Sequence, residues 1–204
     1  MNFFIWSQLA LVCLLGAMSP GPSLALIIHN SINYNRISGI VAAIAHGIGI
    51  FLYATVTVLL LELILKNSEK IFFLIQIFGS IFLVLLGLLF LFKGNDSEEI
   101  SNKKINNNSF MQGFVIAIIN PKILVWFVAI YSQFININSN KFDKIILILT
   151  PSIIDALWYS LVAILVTSYG LEEILTKKKS IIEKLIGIIF IIIGLILIYS
   201  LINS

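Results

Sequence analysis

Six apolar runs, each of about 20 residues or more and so long enough to cross the hydrocarbon core of a bilayer, take up most of this 204-residue chain. They cover residues 3–31, 39–65, 71–92, 110–134, 145–169 and 181–202. A soluble amphipathic helix would place polar residues on one face of every turn, and a barrel strand would alternate over about ten residues. Neither pattern is present. Only 11% of the residues are charged and 59% are hydrophobic, against about 25% charged in soluble domains. The expected fold class is all-α and transmembrane, with six helices in a single membrane domain and no extramembrane domain.

The formal net charge is +3, but the cations stand in short connections beside apolar runs, where they fix topology. No nucleic-acid partner follows from them. Cys13 is the one cysteine and His29 and His46 are the two histidines, so neither a disulfide nor a metal-ligand cluster is expected, and no cofactor is called for. Residues 1–18 lack the basic leader of a secretory signal and run directly into a second apolar stretch, so they read as a retained first span.

Basic residues alternate between the connections. Arg36 stands in the first, Lys93, Lys103 and Lys104 in the third, and Lys177, Lys178, Lys179 and Lys184 at the fifth, against Lys66 and Lys70 in the second and Lys141 and Lys144 in the fourth. This bias predicts an inner-membrane protein whose odd-numbered connections face the cytoplasm and whose termini both lie outside. Residues 93–109, rich in Asn, Ser, Lys and Glu, read as a flexible linker between a first repeat, 1–92, and a second, 110–204. Three spans per half make equivalent helices enter the membrane in opposite directions, the arrangement of an inverted-topology repeat.

The first span of each half is interrupted, by Ser19-Pro20-Gly21-Pro22 and by Asn120-Pro121-Lys122. Proline lacks the amide hydrogen that would bond the carbonyl four residues earlier, so Pro20, Pro22 and Pro121 orphan the carbonyls of Gly16, Met18 and Ala117. Each orphan is costly in hydrocarbon unless another donor reaches it. Gly21 between two prolines is expected to use backbone angles closed to other residues. A paired break exposes carbonyls at the end of one half-helix and amides at the start of the next, near Ser23 and Leu24, which suits a zwitterion. The simpler alternative is a pair of kinks satisfied by Ser19, Ser23 and neighbouring helices.

Lys122 and Asp155 stand inside the fourth and fifth runs, where a charge costs about 2.5–3.5 kcal/mol on the mildest scale. Asp155 is the candidate proton-coupling residue and a candidate partner for a substrate ammonium; a static Lys122–Asp155 ion pair is the structural alternative. The residues expected to form the site are Ser19, Pro20, Gly21, Pro22, Ser23, Asn120, Pro121, Lys122 and Asp155. His46 reads as a histidine bonded to a backbone carbonyl, Glu62 as an interfacial carboxylate, and Tyr131 and Gln133 as residues near a membrane surface. The Gly39, Ala43, Gly47 stripe of the second span calls for close packing, within the chain or in a homodimer.

Taken together, Met18 to Ser23, Asn35-Arg36-Ile37-Ser38-Gly39-Ile40, the Gly-rich second span, Gly113-Phe114, Asn120-Pro121-Lys122 and Gln133-Phe134 resemble the LysE/RhtB family of bacterial amino-acid exporters. The resemblance runs over essentially the whole chain. It implies a proton-motive exporter of amino acids or their derivatives, with the two proline motifs and an acidic residue in the fifth span, here Asp155, as family positions. The chain departs from that pattern at Ser23, where Asn is frequent, and at His46, where a small residue is usual. A membrane-embedded enzyme is the second reading, weakened because no serine or Cys13 has a His/Asp arrangement at recognisable spacing. A non-transporting assembly subunit is the third.

Overall fold

The computed structural model describes residues 1–92, 108–136, 139–169 and 178–203. The expected linker at 93–109 therefore lies outside the described residues except for its last two positions, as do Lys93, Lys103, Lys104 and Lys177. The described chain is helical: α1 (Phe3–Met18), α2 (Pro22–Asn33), α3 (Arg36–Asn67), α4 (Glu69–Phe92), α5 (Ser109–Ile119), α6 (Pro121–Phe134), α7 (Lys141–Tyr169) and α8 (Lys179–Ile202). Four helices, α3, α4, α7 and α8, are long and apolar enough to span a membrane on their own. Two bent pairs, α1–α2 at 62° and α5–α6 at 58°, qualify as one span each. Large apolar side chains such as Leu89, Leu157 and Ile196 face outward, which lipid tolerates and water does not.

Helix α3 is the hub, packed on α7 and α5 and also touching α2, α4 and α6. Its small residues make this possible. A Cβ added at Gly47 would stand 2.8 Å from the Ala156 Cβ on α7, and one at Gly49 would meet Ala117 on α5. The Gly39, Ala43, Gly47 stripe therefore serves packing within the chain, where van der Waals contact between close backbones holds membrane helices together. At the other side of the bundle α4 lies along α8, and Gly87 and Gly187 face one another across that contact.

Proline leaves a visible trace in α7. Pro151 cannot bond the Leu147 carbonyl, and the Tyr131 hydroxyl donates to that oxygen at 2.8 Å instead. Tyr131 is therefore fully buried rather than at a membrane surface. Gln133 is likewise internal: its Nε2 donates to the Gln76 carbonyl at 3.2 Å while Gln76 Nε2 donates to the Ser132 carbonyl at 2.8 Å, clamping α6 to α4. Such polar links form because hydrocarbon offers no alternative partner.

Side-chain pairs near the helix ends sort the connections onto two faces. Arg36 donates to Thr167 and Ser168, joining the first connection to the end of α7. Glu62 pairs with Lys66 and Lys144, joining the second connection to the fourth, and the Met1 amine bonds Asp143 on that same face.

Two outcomes follow from this packing. Tyr131→Phe, which strands the Leu147 carbonyl, is expected to lower stability by about 1–3 kcal/mol, seen as a lower thermal midpoint of the detergent-solubilised protein, while Tyr34→Phe on the surface leaves it unchanged. Gly47→Val forces α3 and α7 apart and is expected to cost about 1–3 kcal/mol in the same measurement.

Candidate functional site

Helix α1 stops at Met18 because Pro20 and Pro22 cannot continue its ladder, and α2 begins at Pro22, whose fixed φ suits the first helical turn. The Ser19 amide caps α1, bonding both the Leu15 and the Gly16 carbonyls, so the Gly16 oxygen orphaned by Pro20 regains a donor. Gly21 precedes α2 with φ 178° and ψ −172°, an extended conformation open to any residue. The backbone freedom expected of this glycine is not what the structure uses. A Cβ there would stand 3.7 Å from Lys122 Nζ, in the gap between the two breaks.

The second break turns on Asn120, which ends α5 and caps α6. Its Oδ1 accepts the Lys122 amide at 3.1 Å, as an N-cap side chain should. That diverts the Lys122 amide from the Ile118 carbonyl, which takes the Tyr53 hydroxyl at 2.6 Å instead. Pro121 is the first residue of α6. The start of α2 has no side-chain cap, so only one of the two half-helix N-termini is closed by its own sequence.

The two breaks meet. Asn120 Nδ2 donates to Ser23 Oγ at 3.4 Å, and Lys122 Nζ donates to Ser19 Oγ. Lys122 also lies over the Phe90 ring, 5.1 Å from its centroid, a placement that stabilises a cation away from water. Ser19, Gly21, Ser23, Asn120, Lys122 and Asp155 all line one cavity of about 60 Å³. A single water needs roughly 10–15 Å³ on this measure, so the space holds several waters. Gly16, Trp126 and Tyr159 also line it.

Asp155 turns to His46 rather than to Lys122. His46 Nδ1 lies 2.6 Å from Asp155 Oδ2, and His46 Nε2 lies 2.8 Å from Ser23 Oγ. His46 is 1% exposed and Asp155 6%. The Tyr159 ring meets the imidazole edge-on at 5.1 Å, and its hydroxyl is turned toward Ser23. His46 was expected on a backbone carbonyl and instead bridges α7 to the start of α2. Its position between Ala45 and Gly47 was the available signal: only small neighbours let an imidazole sit where two backbones pack closely. The Ser23–His46–Asp155 order is also the hydrogen-bond order of a nucleophilic triad, an arrangement that residue spacing gave no means of finding. Among the described residues no group of three or more His, Cys, Asp or Glu side chains could hold a metal ion.

Residues 14–201 match the LysE type translocator family. The chain is 25% identical over 188 residues to the uncharacterized membrane protein YrhP of Bacillus subtilis, covering 86% of this chain and 90% of that one. It is 23% identical over 205 residues to an uncharacterized membrane protein of Haemophilus influenzae, covering 97% of each. A threonine efflux protein of Escherichia coli is 23% identical over 140 residues, covering 66% of this chain and 68% of its own. No solved structure gives a significant match. With paired proline breaks facing one cavity and a family match over nearly its whole length, the chain belongs to the LysE type translocator family.

Proposed function

We propose that this protein is a secondary transporter that exports an amino acid or amino-acid derivative across the cytoplasmic membrane in exchange for protons. The observation that carries the reading is the convergence of both breaks on one cavity that holds a cation, Lys122, and an anion, Asp155. A zwitterion fits such a site end to end. Its carboxylate takes Lys122 and the uncapped amides that begin α2, and its ammonium takes Asp155 and the carbonyls that end α1. Ser19, Ser23 and Asn120 complete the polar wall, and Pro20, Gly21, Pro22 and Pro121 hold the backbone open. Membership in a translocator family and the likeness to a threonine efflux protein support amino-acid cargo.

The alternating-access element in this reading is an inverted repeat, α1 to α4 against α5 to α8. Contacts between equivalent helices support it: α3 lies on α7, and α4 on α8. The broken spans cross in matching fashion, with α2 on α5 and α1 on α6. In this reading the Arg36 face lies in the cytoplasm and the Glu62, Lys144 and N-terminal face outside, an orientation that the charge bias supports.

A second reading has one observation in its favour. Ser23, His46 and Asp155 are arrayed as in a serine hydrolase, so a membrane-embedded acyl transferase or hydrolase would use Ser23 as nucleophile and His46 as base. Labelling of Ser23 by a fluorophosphonate probe, lost in Ser23→Ala, would favour it over transport.

Proteoliposomes loaded with L-threonine are expected to release it when an inward proton gradient is imposed. Lys122→Ala and Asp155→Asn are expected to slow that efflux at least about tenfold, the effect of removing a charge-assisted partner. Absence of flux for every proteinogenic amino acid would overturn the reading. In a chain whose Cys13 is replaced by serine, a membrane-impermeant maleimide is expected to label Glu69→Cys but not Tyr34→Cys in intact cells. The reverse pattern would invert the assigned orientation.

A further inference from the structure

We propose that the coupling proton is carried by His46, with Asp155 as its hydrogen-bonded counter-ion, and that this proton and the ammonium of the substrate compete for one negative charge. The inference rests on the transport reading and names the group through which exchange occurs.

The geometry assigns the two ring nitrogens different duties. In this proposal Asp155 is ionised and only accepts, so the nitrogen facing it at 2.6 Å, Nδ1, holds a hydrogen in either charge state of the ring. The proton that comes and goes is therefore on Nε2, whose partner is Ser23 Oγ at 2.8 Å. A hydroxyl can donate or accept. With His46 neutral, Ser23 donates to Nε2; with His46 protonated, Nε2 donates to Ser23 and the same bond survives in reverse. Both ring nitrogens of this side chain, which is 1% exposed, therefore keep their hydrogen-bond partners in either protonation state.

The reversal is read at the break. Ser23 Oγ has one hydrogen and two lone pairs, and Asn120 already occupies one lone pair. When Nε2 takes the other, the Ser23 hydrogen is released from His46 and turns toward Tyr159 or the cavity. Protonation at α3 thus alters the polar wall at the start of α2.

Charge supplies the competition. The His46–Asp155 pair carries one negative charge when the imidazole is neutral and none when it is protonated. A substrate ammonium in the adjoining cavity is attracted to the first state and not to the second. The other ionisable groups facing this space among the described residues are Tyr159 from α7, Cys13 from α1 and Lys122 from α6; α2 contributes Ser23, which does not ionise in this range. Lys122 is held on Ser19 and over Phe90. It offers fixed positive charge to a carboxylate and does not compete with the ammonium. One proton entering at His46 then displaces one ammonium, which is the exchange an exporter driven by an inward proton gradient requires.

The test is calorimetric binding of L-threonine to the full chain in nanodiscs, followed as a function of pH. The wild type is expected to release protons as threonine binds at the acid end. Its affinity is expected to weaken by up to about tenfold per pH unit below the midpoint, and N-acetyl-L-threonine, which lacks the ammonium, is expected to show no such slope. His46→Gln, which can still donate to Asp155 and accept from Ser23, is expected to bind threonine with neither pH slope nor proton release. Wild-type binding without proton release overturns the proposal independently of any variant. So does a His46→Gln chain that keeps the wild-type slope, which would move the proton to Asp155 or Tyr159 while leaving transport intact. If the wild type binds no amino acid at any pH and transports none, the transport reading itself fails and this proposal with it.

Discussion

Hydrocarbon offers no hydrogen bonds, so every polar group carried into the membrane must find its partner inside the protein. The architecture follows from how this chain meets that demand after placing prolines where helices should be continuous. Three carbonyls displaced by the prolines or their caps are recovered, Gly16 by the Ser19 amide at the end of its own helix, Ile118 by the Tyr53 hydroxyl and Leu147 by the Tyr131 hydroxyl. The two tyrosine bonds tie α5 to α3 and α7 to α6. The breaks are consequently stable features of the backbone, with defined positions for the groups that flank them.

Close packing then decides which groups meet. Small residues on α3 let α5 and α7 approach until backbone and Cβ atoms touch, and the paired glycines of α4 and α8 do the same on the other side. Because α3 contacts the second half of the chain more than its own, the first break is held against the second. Asn120 shows the result in one side chain. Its oxygen caps its own helix, and its amide reaches Ser23 across the interface between halves.

Within that frame the two charges that line the cavity have different partners. Lys122 rests on Ser19 and a ring face, while Asp155 is paired with His46 at 2.6 Å. Both signs of charge therefore line one cavity without neutralising one another. The static Lys122–Asp155 ion pair, an alternative left open by the residue positions, does not form, because Asp155 turns to His46. The tie between Asp155 and Ser23 through one imidazole also joins α7 to the first break.

Sequence alone determined the solvent and the sequence-local events. Apolar run lengths specified the spans to within a few residues, because bilayer thickness and helical rise set them. The positions of Pro20, Pro22 and Pro121 specified where two spans break, because a missing amide hydrogen is a property of the residue itself. Lys122 and Asp155 were legible as site candidates since an intramembrane charge is costly wherever the helices lie. What only the tertiary structure decided was pairing: that His46 rather than Lys122 meets Asp155, that Tyr131 and Gln133 turn inward, that the glycine stripe packs within the chain, and that both breaks open on one cavity. These depend on which faces of α3, α6 and α7 are apposed. Nearly uniform apolarity gives no face of a membrane helix a distinguishing pattern, so that choice is made by interhelical packing and not by local sequence.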